Sequence, residues 1–195
     1  MTLANSNTDL RILKSKRAIA DAFFTLLERK SFADITVLEI ADEALIGQTT
    51  FYRHYQDKCD LAAQLMKESL DQLSTMFFRR LDAAATTNAP FLPASDFPKL
   101  HQHIRLLREI DTPDLSFRAM AIAHITASIQ REMSQRQISV IYGKEVASHL
   151  AIMFYSLFNA MADHSDDSDF HVAKEQIREC TEVLDALYAD LPPQD

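Results

Sequence analysis

The sequence predicts an all-α protein, and three observations lead there. Only two glycines, Gly47 and Gly143, occur in 195 residues, where average usage of about 7% would supply about fourteen. Tight hairpins and Gly-rich phosphate loops need glycine at positive φ, so both are disfavoured. Apolar residues recur three and four apart along most of the chain, which is the period of an amphipathic helix. Hydrophobic residues make up 47% of the chain and charged residues 25%. That balance suits one or two compact units with a sizeable core and argues against disorder.

Each element follows from local pattern. Residues 1–9 are polar, lack an apolar signal core and read as a mobile arm. Ile12, Ile19, Ala22, Phe23, Leu26 and Leu27 give a first helix from Leu10 to Lys30. A break at Ser31–Asp34 precedes Thr36, with Glu39 three residues later. This is a capping-box pattern, in which hydroxyl and carboxylate satisfy the free N–H groups of a helix start. Leu45-Ile46-Gly47 interrupts that helix, and another run covers Gln48–Tyr55. Asp57 opens a long helix to about Ala85, with Leu61, Leu65, Met66, Leu70, Leu73, Met76, Phe77 and Leu81 as its stripe. Pro90, Pro93 and Pro98 mark residues 86–98 as a loop or hinge. Helical pattern resumes over about 99–111. Thr112-Pro113-Asp114 reads as a cap followed by proline at the first position of a helix running to about Arg136. Gly143 marks a further break, and the last two helices cover about 144–163 and 170–190.

Residues 36–58 read TVLEIADEALIGQTTFYRHYQDK. Two short helices joined by a short turn containing glycine form a helix-turn-helix, whose second helix can enter the major groove. Gln48, Thr49 and Thr50 offer short polar groups for base edges and phosphates; Tyr52, Arg53 and His54 offer a hydroxyl, a cation and an imidazole. Phe51 and Tyr55 can pack backward, and Lys58 can neutralise a phosphate. Lys14, Lys16 and Arg17 on the first helix can flank the groove. Spacing alone is equally compatible with a bundle corner carrying a solvated polar face. The aromatic-basic string favours DNA.

The stretch from Lys16 to Leu61 resembles the DNA-binding domain of TetR/AcrR-family transcriptional regulators. The resemblance lies in Ala18-Ile19, Ala22-Phe23, Leu26-Leu27, Phe32, Ile35-Thr36-Val37, Ile40-Ala41 and Ala44. It continues through Thr50-Phe51-Tyr52-Arg53-His54-Tyr55, Asp57-Lys58 and Leu61. It covers roughly the first third of the chain; the remainder matches only in helical layout and length. The resemblance implies a homodimer that binds a palindromic operator in double-stranded DNA, usually as a repressor released by a small ligand; the two isolated cysteines, the lack of a signal core and the lack of a membrane-length apolar run point separately to a cytoplasmic setting. Carried over by position, Thr36, Thr50, Tyr52 and Lys58 are phosphate contacts. Gln48, Thr49, Arg53 and His54 lie near bases or adjacent phosphates. Leu45 stands where the family often has glycine, which suggests that the turn avoids positive φ there. Gly47 replaces a frequent serine or asparagine and can cap a helix only without a side-chain oxygen.

These readings divide the chain into a helix-turn-helix DNA reader, residues 1–58, and a helical regulatory and dimerisation body, residues 59–195. On the last helix Ile177, Cys180, Leu184, Leu187 and Leu191 form a narrow seam suited to a helix partner. An intramolecular core stripe has the same pattern. The resemblance, with its two half-sites, favours the dimer. Phe117, Met120, His124, Phe154 and Phe158 are the candidate lining of a pocket for a small apolar or amphipathic ligand, although ordinary core is the better account of any one of them taken singly.

Metal, cofactor and catalysis find little support. His101 and His103 are two apart and point to different helix faces. Cys59 and Cys180 fit neither a disulfide framework nor a zinc spacing. Cys59, beside Lys58 near a helix start, is a permissive place for a redox-active thiol, though burial as a small hydrophobe also fits. Asp166, Asp167 and Asp169 lack the glycine and terminal glutamate of a calcium loop. No nucleophile motif or phosphate loop is present, so an enzyme is not expected. A DNA-bound adaptor controlled by a protein partner is the alternative to a ligand-responsive regulator.

The net charge of −8 is unusual for a nucleic-acid partner. Residues 1–58 hold eight Lys/Arg and eight Asp/Glu, and residues 59–195 hold twelve and twenty. All the net acidity therefore belongs to the body.

Overall fold

The computed structural model describes residues 3–84, 98–139 and 141–162. They are helical: α1 Leu3–Leu27, α2 Val37–Glu43, α3 Gln48–His54, α4 Lys58–Ala84, α5 Pro98–Leu107, α6 Phe117–Gln135 and α7 Gly143–Ala162. Among the described residues the only β-type pairing is an isolated bridge between Asp111 and Ser116. The all-α expectation is met. The seam at Ile177, Cys180, Leu184, Leu187 and Leu191 lies outside the described residues, as does the side chain of Phe158.

Two compact units divide the chain. One combines Met1–Leu73 with Gln102–Ile125, and the other combines Ser74–His101 with Thr126–Asp195. In the first unit α1, α2 and α3 pack on one another around Ile19, Phe23, Ile35, Ile40, Phe51 and Leu61, all essentially sealed from solvent. Phe23 meets Phe24 and Phe32 edge-on at centroid distances of 6.0 and 6.1 Å, a preferred geometry for aromatic pairs. α5 joins this unit through His103, whose ring stacks on Phe24 at 3.6 Å and 4°. Gln102 also donates to the Glu28 carboxylate.

Three local expectations need correction. Helix α1 begins at Leu3, not after a nine-residue arm; no proline or glycine interrupts the chain before Leu27. Thr112 does not cap α6. Its hydroxyl accepts from Leu115 N–H at 3.1 Å, and Thr112 N–H donates to the Leu115 carbonyl at 2.8 Å. These bonds close a tight turn that buries Leu115. Helix α6 starts only at Phe117, where the Ser116 hydroxyl accepts from Ala119 N–H at 3.4 Å.

The third correction concerns Leu45, which adopts φ 55. Helix α2 ends in a Schellman motif. Ile46 N–H donates to the Ala41 carbonyl at 2.9 Å and Leu45 N–H to that of Asp42 at 3.1 Å. This pair of bonds needs a left-handed residue just beyond the helix, and Leu45 occupies that position. A left-handed L-residue costs roughly 1–2 kcal/mol. Closure of the turn, with two otherwise orphaned carbonyls satisfied, outweighs it. Gly47 has φ −75 and ψ 147, which any residue can adopt.

Candidate nucleic-acid interface

The candidate surface is built from α2, the turn and α3. Thr36 starts α2 as expected. Its hydroxyl accepts from Glu39 N–H at 3.3 Å, and the Glu39 carboxylate accepts from Thr36 N–H at 3.0 Å. The Thr36 hydroxyl also donates to Glu39 Oε2 at 2.8 Å. Lys30 Nζ reaches the other carboxylate oxygen. The bond from Lys30, then the bonds from Thr36, hold the Glu39 carboxyl down at about 2. The cap is therefore ionised and closed at neutral pH.

Helix α3 has two faces. Phe51 and Tyr55 turn inward; their centroids lie 5.6 Å apart, and both are buried. Burial, followed by the Glu68 and Asp60 carboxylates, pushes the Tyr55 phenol up to about 12. Gln48, Thr49, Tyr52 and Arg53 are exposed, and Thr50 and His54 are half-buried. The tyrosine ring of Tyr52 is edge-on to Phe51 at 5.6 Å, so its orientation is fixed from behind. Burial, then the charges of Lys16 and Arg53, lowers the His54 pKa below its ordinary value of 6.5. The imidazole is mainly neutral at pH 7, one nitrogen donating and the other accepting. Lys16 Nζ lies 5.7 Å from the Tyr55 ring centroid, which brings α1's positive charge to the C-terminal end of α3.

Lys58 is placed differently from its neighbours. Its ammonium donates to the carbonyls of Phe32, Ala33 and Ile35 at 2.9, 2.9 and 2.7 Å, and it lies 4.9 Å from the Phe32 ring centroid. An ammonium has three donors, and all three have protein acceptors. Next to it, Asp57 Oδ1 accepts from the N–H groups of Cys59 and Asp60 at 2.7 and 2.8 Å, capping α4. Burial and the Asp57 charge push the Cys59 thiol up, away from the reactive thiolate form.

The pocket candidates fall into separate groups. Phe117, Met120 and His124 belong to the first unit, and Phe154 on α7 belongs to the second. Phe117 is buried, and His124 Nε2 stands 3.6 Å from Asp71 Oδ1. Sequence reasoning missed two features: the His103–Phe24 stack, which no local pattern signals, and the exposure of Leu38 and Leu45. No helix among the described residues is long and apolar enough to cross a membrane.

A capped helix, a Schellman turn and a second helix with a polar outer face define a helix-turn-helix module. Residues 19–65 match the family model described as bacterial regulatory proteins, tetR family. An uncharacterized HTH-type transcriptional regulator of Haemophilus influenzae is 38% identical over 77 residues, covering 37% of this chain. The chain matches 38% of that relative's length. The likeness to that family model lies in residues 19–65, which include α2, the turn and α3.

Proposed function

We propose that the chain is a sequence-specific DNA-binding transcriptional regulator, acting as a homodimeric repressor released from a palindromic operator by a small ligand. The observation that carries the DNA reading is the division of α3: Phe51 and Tyr55 anchor it, while Gln48, Thr49, Tyr52 and Arg53 remain open to solvent. Short polar groups and an arginine on a rigidly backed helix suit base edges and phosphates. Thr36, Thr50 and Tyr52 are phosphate contacts in this reading and His54 lies near bases or adjacent phosphates, whereas Lys58, expected beside them on phosphate, has its three donors on the carbonyls of Phe32, Ala33 and Ile35. Lys58 carries positive charge at the start of α4 and holds the preceding loop.

The dimer rests on the proposed seam at Ile177, Cys180, Leu184, Leu187 and Leu191, and on the need to address two half-sites about 34–36 Å apart. The ligand is small and apolar or amphipathic, with Phe117, Met120, His124, Phe154 and Phe158 as proposed contacts. It acts by preferring the conformation that binds the operator poorly, so release scales with its differential affinity for the two states. Selection from random duplex DNA, followed by titration of the recovered duplex at several salt concentrations, tests the reading. A recurring palindromic site with steep salt dependence is expected; failure to enrich any sequence overturns the assignment. Sedimentation at micromolar concentration tests the dimer directly.

A further inference from the structure

The Schellman turn requires a left-handed residue at position 45, but it does not require a leucine. Leu45 holds a left-handed backbone, φ 55, a conformation that glycine adopts without strain and leucine does not. Its side chain is 92% exposed, so almost no packing inside the protein compensates. Glycine or asparagine would close the same Schellman turn with less strain. Such strain, carried by a residue whose side chain projects into solvent, points outward for its purpose. Leu45 lies three residues before Gln48, the first residue of α3.

Resting on the DNA reading of α3, we infer that Leu45 is a specificity-determining residue that packs on the 5-methyl group of a thymine in the major groove. The major groove displays that methyl group as the one apolar mark distinguishing a T·A pair. A leucine in the turn that leads into the reading helix supplies a matching surface, where polar Gln48 and Thr49 supply hydrogen bonds. Burial of one methyl is worth about a fourfold change in affinity.

The test replaces each thymine of the selected duplex by deoxyuridine, which removes only the methyl group. Wild-type protein is expected to lose about fourfold in affinity at one thymine per half-site. Leu45→Gly and Leu45→Ala are expected to bind the thymine duplex about as weakly as wild type binds the deoxyuridine duplex, and to be indifferent to the replacement. Melting at or above the wild-type temperature keeps Leu45→Gly a fair comparison, since its backbone is relaxed. Wild-type affinity and an unchanged deoxyuridine profile in both variants overturn the inference while leaving the DNA reading intact. Weaker binding with full methyl sensitivity also overturns it, because Leu45 then acts through turn geometry. Absence of DNA binding by the wild-type protein removes both.

Discussion

The Lys58 ammonium lies 2.7 Å from the backbone oxygen of Ile35, the residue immediately before the Thr36 cap of α2. The same nitrogen bonds the carbonyls of Phe32 and Ala33. One side chain at the start of α4 thus holds the segment that delivers α2. A cation satisfying three carbonyls is a stronger tether than a neutral donor, and its partners lie 23 to 26 residues away in sequence.

Lys58→Ala should therefore lower stability as well as operator affinity. Loss of these charge-assisted bonds, two of them part-buried, costs about 2 kcal/mol, read as a lower urea midpoint with an unchanged slope. The salt dependence of binding should change little, because losing a phosphate-bound lysine would lower its slope by roughly one. A full unit of slope lost with no change in midpoint would assign Lys58 to phosphate instead.

The turn between α2 and α3 has room for improvement. Leu45→Asn keeps the left-handed backbone at lower strain, and should stabilise the protein by about 1 kcal/mol, or roughly 2–4 °C in melting temperature. Gly47→Ser should add a few tenths of a kcal/mol by supplying the missing cap, since a Cβ at Gly47 meets nothing within 4 Å. Calorimetry of the two variants and their combination checks both increments.

Acid should act through Glu39. Its carboxyl sits at about 2 in the folded chain against an ordinary 4.5, so over that interval the unfolded chain binds more protons. Stability is fully present above pH 4.5 and is lost as the pH falls toward 2. Glu39→Gln should flatten this part of the profile, measured as urea midpoints across the same range.

His54 should act at higher pH with the same sense. Its folded pKa lies below 6.5, so the unfolded chain takes up a proton first as the pH drops. Its contribution to stability is present above pH 6.5 and declines below it. Titration of the imidazole by NMR should give a midpoint under 6.5, and His54→Gln should lose that limb of the stability profile.

What was legible in the sequence was local. The Thr36–Glu39 cap depends on residues three apart, and the inward set of Phe51 and Tyr55 depends on one helical turn; both follow from spacing. Leu45 was misread because residue type is a statistical guide to backbone sign. The Schellman bonds, which reach back to Ala41 and Asp42, decided the sign instead. Thr112 was misread for a related reason: Thr-Pro opens both helices and tight turns, and the apolar Leu115 drew its chain segment inward. The Lys58 clamp and the Phe24–His103 stack join residues far apart in sequence. No periodicity reports such pairs.

The stacking of His103 on Phe24, with Gln102 bonded to Glu28, has a practical consequence for anyone exchanging recognition modules between regulators. A graft that takes only the first 58 residues carries Phe24 and Glu28 away from these partners and exposes an aromatic face meant to be covered. The transplantable piece is discontinuous: it needs the stretch from Gln102 to Ile125 as well. A chimera that respects this seam should express as a soluble protein where the simple head-to-body fusion aggregates.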